Sequence, residues 1–326
     1  MNLSRYCRSS IALTFLALAA ATAWACQVPV FRYALERWEP GLYLARVPEG
    51  ATLETGTVPV NVEHKPTAGV TELQLFYPGG LRQASDKPIW SAPMNEANVR
   101  RMIDSPARQE LQKRLLTGES AIWVLLESGD EEKDDAAAKL LEEALRAAEE
   151  KLELPDGVIT QEEASNPNAT RHKENADVLQ SDLPLKVAFS TLRLSRNDEA
   201  EAAFLAMLTH IEPDLPEIDG EPMVFPIFGR GRALEPLIGR GIHADNVLEA
   251  TAYLCGACSC EIKEQNPGID LLMAADWAPV DNAPKVETVQ IEPKPAAEAV
   301  QPESKLIPRL LLIVLLVAAL LLLKRK

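Results

Sequence analysis

Residues Ile218 to Leu254, I-D-G-E-P-M-V-F-P-I-F-G-R-G-R-A-L-E-P-L-I-G-R-G-I-H-A-D-N-V-L-E-A-T-A-Y-L, constrain the fold more than any other stretch. An apolar run opened by Pro222 reads as a strand, and Gly229-Arg230-Gly231 as a tight hairpin turn into a second strand. Gly239 and Gly241 make a corner, and the residues up to Leu254 read as a closing helix. The two glycines around Arg230 do not make a nucleotide loop, because no third glycine follows and both flanks are strand.

The elements before this stretch complete an α/β order. Ala121 to Leu126 (A-I-W-V-L-L) is continuously apolar, as a strand covered on both faces requires, and Ser128-Gly129-Asp130 ends it. Asp134 to Leu152 reads as a helix with Leu140, Leu141, Leu145 and Ala148 on its apolar side. Residues 154–183 form a polar insertion whose composition predicts a mobile surface loop. Leu185 to Leu194 is the next strand, and Asn197-Asp198 precedes a helix over Glu199 to His210. Beyond the closing helix come C-G-A-C-S-C, a turn at Asn266-Pro267-Gly268 and a strand candidate, Ile269 to Ala275.

Upstream, residues 27–39 read as an amphipathic helix with Phe31, Leu35 and Trp38 on its core face. Strand candidates follow at Leu42 to Arg46, Val58 to Glu63, Thr71 to Tyr77 and Lys87 to Trp90, with a turn at Pro78-Gly79-Gly80. Asn95 to Ile103 and Pro106 to Leu116 read as helices.

From Ala121 the order is strand, helix, strand, helix, strand, strand, helix, which resembles the thioredoxin fold over residues 119–256. Pro222 stands before the third strand, where that family keeps a cis-proline. The resemblance implies a pair of cysteines after the first strand, at a helix N-terminus that makes a reactive thiolate. This chain has Glu131-Glu132-Lys133-Asp134 there, so a thioredoxin-like domain spanning 119–280 is expected to be redox-inactive at the usual place. Residues 26–118 repeat a weaker version of the ending, which predicts two tandem degenerate units. The opening C-Q-V-P-V-F-R-Y-A-L-E-R-W resembles that of uncharacterised bacterial envelope proteins and implies no activity.

Thiols are the main candidates for chemistry. Cys255, Cys258 and Cys260 form a CxxCxC cluster, and Cys26 makes a fourth. A structural disulfide, a displaced dithiol or a soft-metal site are the three readings open to them. No cofactor is called for otherwise. His64, His172, His210 and His243 are isolated, with no HExxH or HxH spacing, and no GxSxG elbow occurs.

Both termini carry membrane signals. Arg5 and Arg8, the apolar run Ile11 to Ala21, and Ala23-Trp24-Ala25 predict a signal peptide over 1–25. Cleavage would leave Cys26 first, in the position of a lipidated cysteine. Bulky Trp24 departs from the lipoprotein box and favours ordinary cleavage, with retention as an uncleaved anchor a third option. Residues 281–305 are proline-rich, as in an extended tether. Residues 306–323 are nearly all apolar and predict a transmembrane helix, with the basic tail 324–326 on the cytoplasmic side.

The net charge of −15 argues against nucleic acid as a partner, since phosphate binding needs a concentrated basic surface and the sequence shows no Lys/Arg stripe apart from its last three residues. The expectation is a protein of the bacterial cytoplasmic membrane with a single C-terminal pass and its ectodomain outside the cytoplasm. Its expected role is non-catalytic binding or scaffolding, with the membrane and other envelope proteins as partners. Thiol–disulfide or soft-metal handling by the cysteine cluster, and an accessory subunit of a membrane transporter, are the alternatives.

Overall fold

The structure is a computed structural model and describes residues 26–79, 87–165 and 177–281. The expected signal peptide, the tether beyond Asp281, the transmembrane helix and the basic tail lie outside the described residues. Among the described residues no helix is long and apolar enough to cross a membrane.

A first sheet is built from β1 (Tyr43–Pro48), β2 (Val62–Thr67), β3 (Leu73–Phe76) and β4 (Trp90–Ala92), after helix α1 (Val30–Arg37). Its order is β2-β1-β3-β4. β1 runs parallel to β2 and antiparallel to β3, and β3 antiparallel to β4. Helices α2 (Glu96–Ile103) and α3 (Pro106–Leu115) follow. Asn95 caps α2 by accepting from the Asn98 N–H, and Pro106 opens α3 where its missing N–H costs nothing.

The second sheet is organised on β5 (Ala121–Leu126), every residue of which is buried. Helix α4 (Glu131–Lys151) leads from it to a short segment with β6 (Val158–Ile159), α5 (Gln161–Ser165) and β7 (Asp177–Val178). β8 (Phe189–Leu194), α6 (Ala202–Thr209), β9 (Met223–Phe228), β10 (Arg232–Ala233) and β11 (Leu237–Ile238) come next. The chain then runs through α7 (Ala244–Cys255), α8 (Cys260–Gln265), β12 (Ile269–Asp270) and α9 (Ala278–Asp281). The strand order is β12-β10-β9-β5-β8, with β11 on β9. β5 is parallel to β8 and antiparallel to β9, and β9 pairs antiparallel with β10.

Alternation along β5 divides the interior in two. Ile122, Val124 and Leu126 face a core shared with the first sheet (Tyr43, Ala45, Leu73, Leu75) and with α2, α3 and α6. Ala121, Trp123 and Leu125 face the other core, which α1, α4 and α7 cover. Residues 26–118 and 119–280 therefore share one continuous core and belong to the same compact unit.

The hairpin turn expected at Gly229-Arg230-Gly231 joins β9 to β10. Gly229 and Gly231 have φ of +61° and +89°, and a Cβ on them would meet Ala34 at 2.8 Å and Met273 at 2.6 Å. Left-handed backbone and close approach together demand glycine. Arg230 between them donates from Nε to the Leu35 carbonyl at 2.8 Å, so the turn is also the socket of α1.

Some expectations need correction. Pro222 precedes β9 as anticipated, but its peptide bond is trans: no cis peptide bond occurs among the described residues. The strand expected over Ile269 to Ala275 shrinks to two residues, because Leu271, Leu272 and Met273 are taken into the shared core. Where it is described, the insertion 154–183 is pinned rather than loose. β6 pairs with β7, and Glu36 of α1 accepts from the Gln180 and Ser181 N–H groups at 2.8 and 3.1 Å. Arg32 closes the clamp, pairing with Glu36 at 2.7 Å and donating to the Ser181 and Leu183 carbonyls.

Both side chains of this Arg32–Glu36 pair are fully buried. Removing one partner strands the other charge and its hydrogen-bonding groups, which costs about 3–5 kcal/mol. Arg32→Ala and Glu36→Ala are each expected to lose about that much in urea unfolding, and the double variant far less than their sum.

Candidate functional site

The place to look for chemistry is the end of β5, where the chain turns into α4. The crevice beyond the carboxyl ends of parallel strands is where ligands enter such sheets, and the helix N-terminus offers free N–H groups and a positive potential. Here the chain satisfies both itself. Asp130 caps α4, accepting from the Glu132 and Lys133 N–H groups. Asp134, buried on the first turn, folds back to accept from the Ser128 N–H and Oγ at 2.7 and 2.8 Å and from the Gly129 N–H at 3.1 Å.

Cations bridge the strand ends around this junction. Lys133 Nζ donates to the Gly220 carbonyl at 2.7 Å and to Glu221 Oε1 at 2.9 Å, directly before Pro222. The Glu221 hydrogen bond is the main cause of a raised Lys133 pKa. Arg196 donates to the carbonyls of Glu127 and Glu221, tying the end of β5 to the start of β9. Arg193 of β8 spans Glu127 and Asp135. Glu131-Glu132-Lys133-Asp134 thus forms a solvent-facing junction of charges tied down through Lys133 and Asp134, with no thiol among them.

The cysteine cluster is divided by the structure. Cys255 ends α7 and is buried in the second core. Burial pushes its thiol up to about 12, against a smaller lowering by a hydrogen bond with Ser120. Cys258 is also buried, and its backbone N–H donates to the Val28 carbonyl at 2.9 Å. Burial raises its thiol to about 11, opposed by Lys263 and Arg37 and assisted by the neighbouring Cys26 and Cys260. Cys26 is half-buried and Cys260 exposed. Cys258, Cys260 and Cys26 therefore gather on one side, while Cys255 points to Ser120. All four are free thiols, and among the described residues no group of three or more His, Cys, Asp or Glu side chains is arranged to hold a metal ion.

A groove of about 440 Å³ lies apart from both places, with Leu42, Pro59, Met273 and Trp277 in its walls and Arg230 and Asp281 at one end. Leu42 in it is 53% exposed. Sequence reading singled out neither this groove nor the buried pair Arg32–Glu36. The spacing of that pair, four residues apart on a helix, was the one local signal for it.

Comparison with known proteins returned no match to a family model, a curated protein or a solved structure.

The burial of Cys255 has a pH signature. Its folded pKa lies above the ordinary thiol value of 9.0, so deprotonation opposes the folded state. Stability from this group is intact below about pH 9 and lost as pH rises toward about 12, the slope following the difference in bound protons. Alkylation at pH 8 is expected to reach Cys260 first and Cys255 last. Cys255→Ala should flatten the alkaline fall in stability measured by urea unfolding.

Proposed function

We propose that the chain is an exported, membrane-tethered binding or scaffolding protein, built on thioredoxin-like units whose catalytic position has been closed. The observation that carries this is the junction of β5 and α4. Lys133 bridges to Gly220 and Glu221 where a dithiol would have to meet its substrate. Asp130 occupies helix N–H groups that would stabilise a thiolate, and Asp134 ties down the Ser128 and Gly129 N–H groups of the preceding loop.

The strand arrangement supports the thioredoxin-like reading. In the second sheet a parallel pair, β5 and β8, is followed by an antiparallel hairpin, β9 and β10, added on the far side of β5. Helices α4 and α7 cover one face and α6 the other. The first sheet repeats the same order and directions, as β2-β1-β3-β4, which supports a tandem pair. Its departure is that no helix separates β1, β2 and β3. The trans bond before Pro222 is a second departure.

Export and anchoring rest on the sequence of 1–25 and 306–326. The apolar run Leu310 to Leu323 leads into Lys324-Arg325-Lys326, the charge pattern of a stop at the cytoplasmic face.

The test of inactivity is a disulfide-reduction assay on the full-length chain. Its rate should equal that of a variant with Cys26, Cys255, Cys258 and Cys260 all changed to serine, and a clear excess over that variant would sink the reading. Deleting residues 306–326 should move the chain from the membrane to the soluble exported fraction, and retention in the membrane would refute the anchor.

A further inference from the structure

The groove walled by Leu42, Pro59, Met273 and Trp277 belongs neither to the β5–α4 junction nor to the cysteine cluster. Its walls are tied down by the backbone. Val60 bridges Ala274, and the Ala275 N–H donates to the Pro59 carbonyl at 3.0 Å. Asn61 donates from Nδ2 to the Gly41 and Leu271 carbonyls and accepts from the Met273 N–H at 2.8 Å. Asp276 fixes the entry to α9 by accepting from the Ala278 N–H at 3.0 Å. A groove held in this way is formed before anything enters it, so binding costs little in ordering.

We propose that this groove takes a basic segment of a partner protein, in which an apolar side chain is flanked by Lys or Arg. The inference rests on the binding role proposed above and names the chemistry of its partner. Two features carry it. Among the described residues, Leu42 and Val58 are the large apolar side chains left exposed. Leu42 lines the groove, and Val58 directly precedes Pro59 in its wall. Exposed apolar side chains gathered at one hollow, and not scattered singly, mark a contact surface. The second feature is charge. Glu39, Asp276 and Asp281 line the groove against one guanidinium, that of Arg230. Arg230 is already engaged by Asp281 and the Leu35 carbonyl. Glu39 and Asp276 are left with no ion-pair partner among the described residues.

Glu39 and Asp281 also line a second hollow of about 540 Å³, with Glu36, Arg37 and Gln180 in its walls. The two hollows therefore meet at these carboxylates. Of the charges in the second hollow, Glu36 is held by Arg32 and Arg37 donates to the Val178 carbonyl. An extended peptide would seat its apolar side chain against Leu42 and Trp277 and pass a basic one between Glu39 and Asp281. Apolar contact supplies affinity, and the carboxylates select the partner and speed its approach. An acidic segment is repelled by the same groups, and the net charge of −15 acts in the same direction at long range.

The test uses the full-length chain in neutral detergent and a dye-labelled peptide, Gly-Ser-Lys-Leu-Lys-Ser-Gly, read by fluorescence polarisation. The peptide is expected to bind, and its Glu-Leu-Glu and Lys-Ser-Lys counterparts to bind at least about tenfold more weakly. Leu42→Ser and Glu39→Lys, both at exposed sites, should each weaken binding by about tenfold and leave urea unfolding unchanged. Glu142→Lys makes the same charge change at an exposed site on α4 and should leave binding unchanged. Equal binding by the parent and Leu42→Ser, or an equal loss in Glu142→Lys, would trace the effect to overall charge and overturn the proposal. Absence of binding would also overturn it. So would binding gained only on deleting residues 287–305, which would assign the groove to the chain's own linker, or a dimer abolished by Leu42→Ser, which would assign it to a second copy. Disulfide reduction above the cysteine-free variant, with this binding pattern intact, would sink the non-catalytic reading and leave the groove assignment standing.

Discussion

β5 is buried on both faces, and that single condition sets the layering of the protein. A strand whose every side chain is apolar cannot face water on either side, so both faces must be covered. One cover is made by α1, α4 and α7. The other is made by α2, α3 and α6 together with a second sheet, which turns two successive stretches of chain into one compact unit. Trp123, the largest fully buried side chain, lies on the first of these faces and the smaller Ile122 and Val124 on the second.

Buried cations do the long-range fastening. Arg108 donates to the carbonyls of Met102, Ile103 and Leu272, so it closes the end of α2 and holds the last part of the chain against it. Burial depresses its pKa to about 10, opposed by Asp104 and Glu201. Arg32 with Glu36 does the same for residues 180–183. Arg232 joins β10 to β12 through a two-point contact with Asp270 and lies over the Trp38 ring at 4.9 Å. In each case a planar guanidinium satisfies several carbonyl or carboxylate oxygens at once, which a lysine cannot do with the same geometry. These contacts explain why short strands such as β10 and β12 persist with few ladder bonds of their own.

Local patterns were read well where one periodicity dominated. The limits of β5 were legible to the residue because Ser120 and Glu127 bound an uninterrupted apolar run. The hairpin was legible because glycine alone tolerates the φ of +61° and +89° that its turn needs. Shifts arose where tertiary contacts competed. Val58 to Glu63 was expected as the strand, but Val60 bridges Ala274 and Asn61 binds the Gly41 and Leu271 carbonyls, so the ladder with β1 starts only at Val62. The insertion looked loose because its polarity was visible and its partner, a buried ion pair on a helix more than a hundred residues earlier, was not.

The sequence alone determined the order of most elements, the charged run Glu131-Glu132-Lys133-Asp134 after β5, and the presence of four thiols from Cys26 onward. Those are properties of residue type and spacing, and they survive whatever the chain does at long range. Only the tertiary structure decided which of those groups meet. It set Lys133 against Glu221, turned Cys255 toward Ser120, and laid the residues after Cys26 along the link that carries Cys258 and Cys260. The physical reason is that such meetings depend on how two covered faces of one strand are filled, and burial of that kind couples segments with no pattern in common.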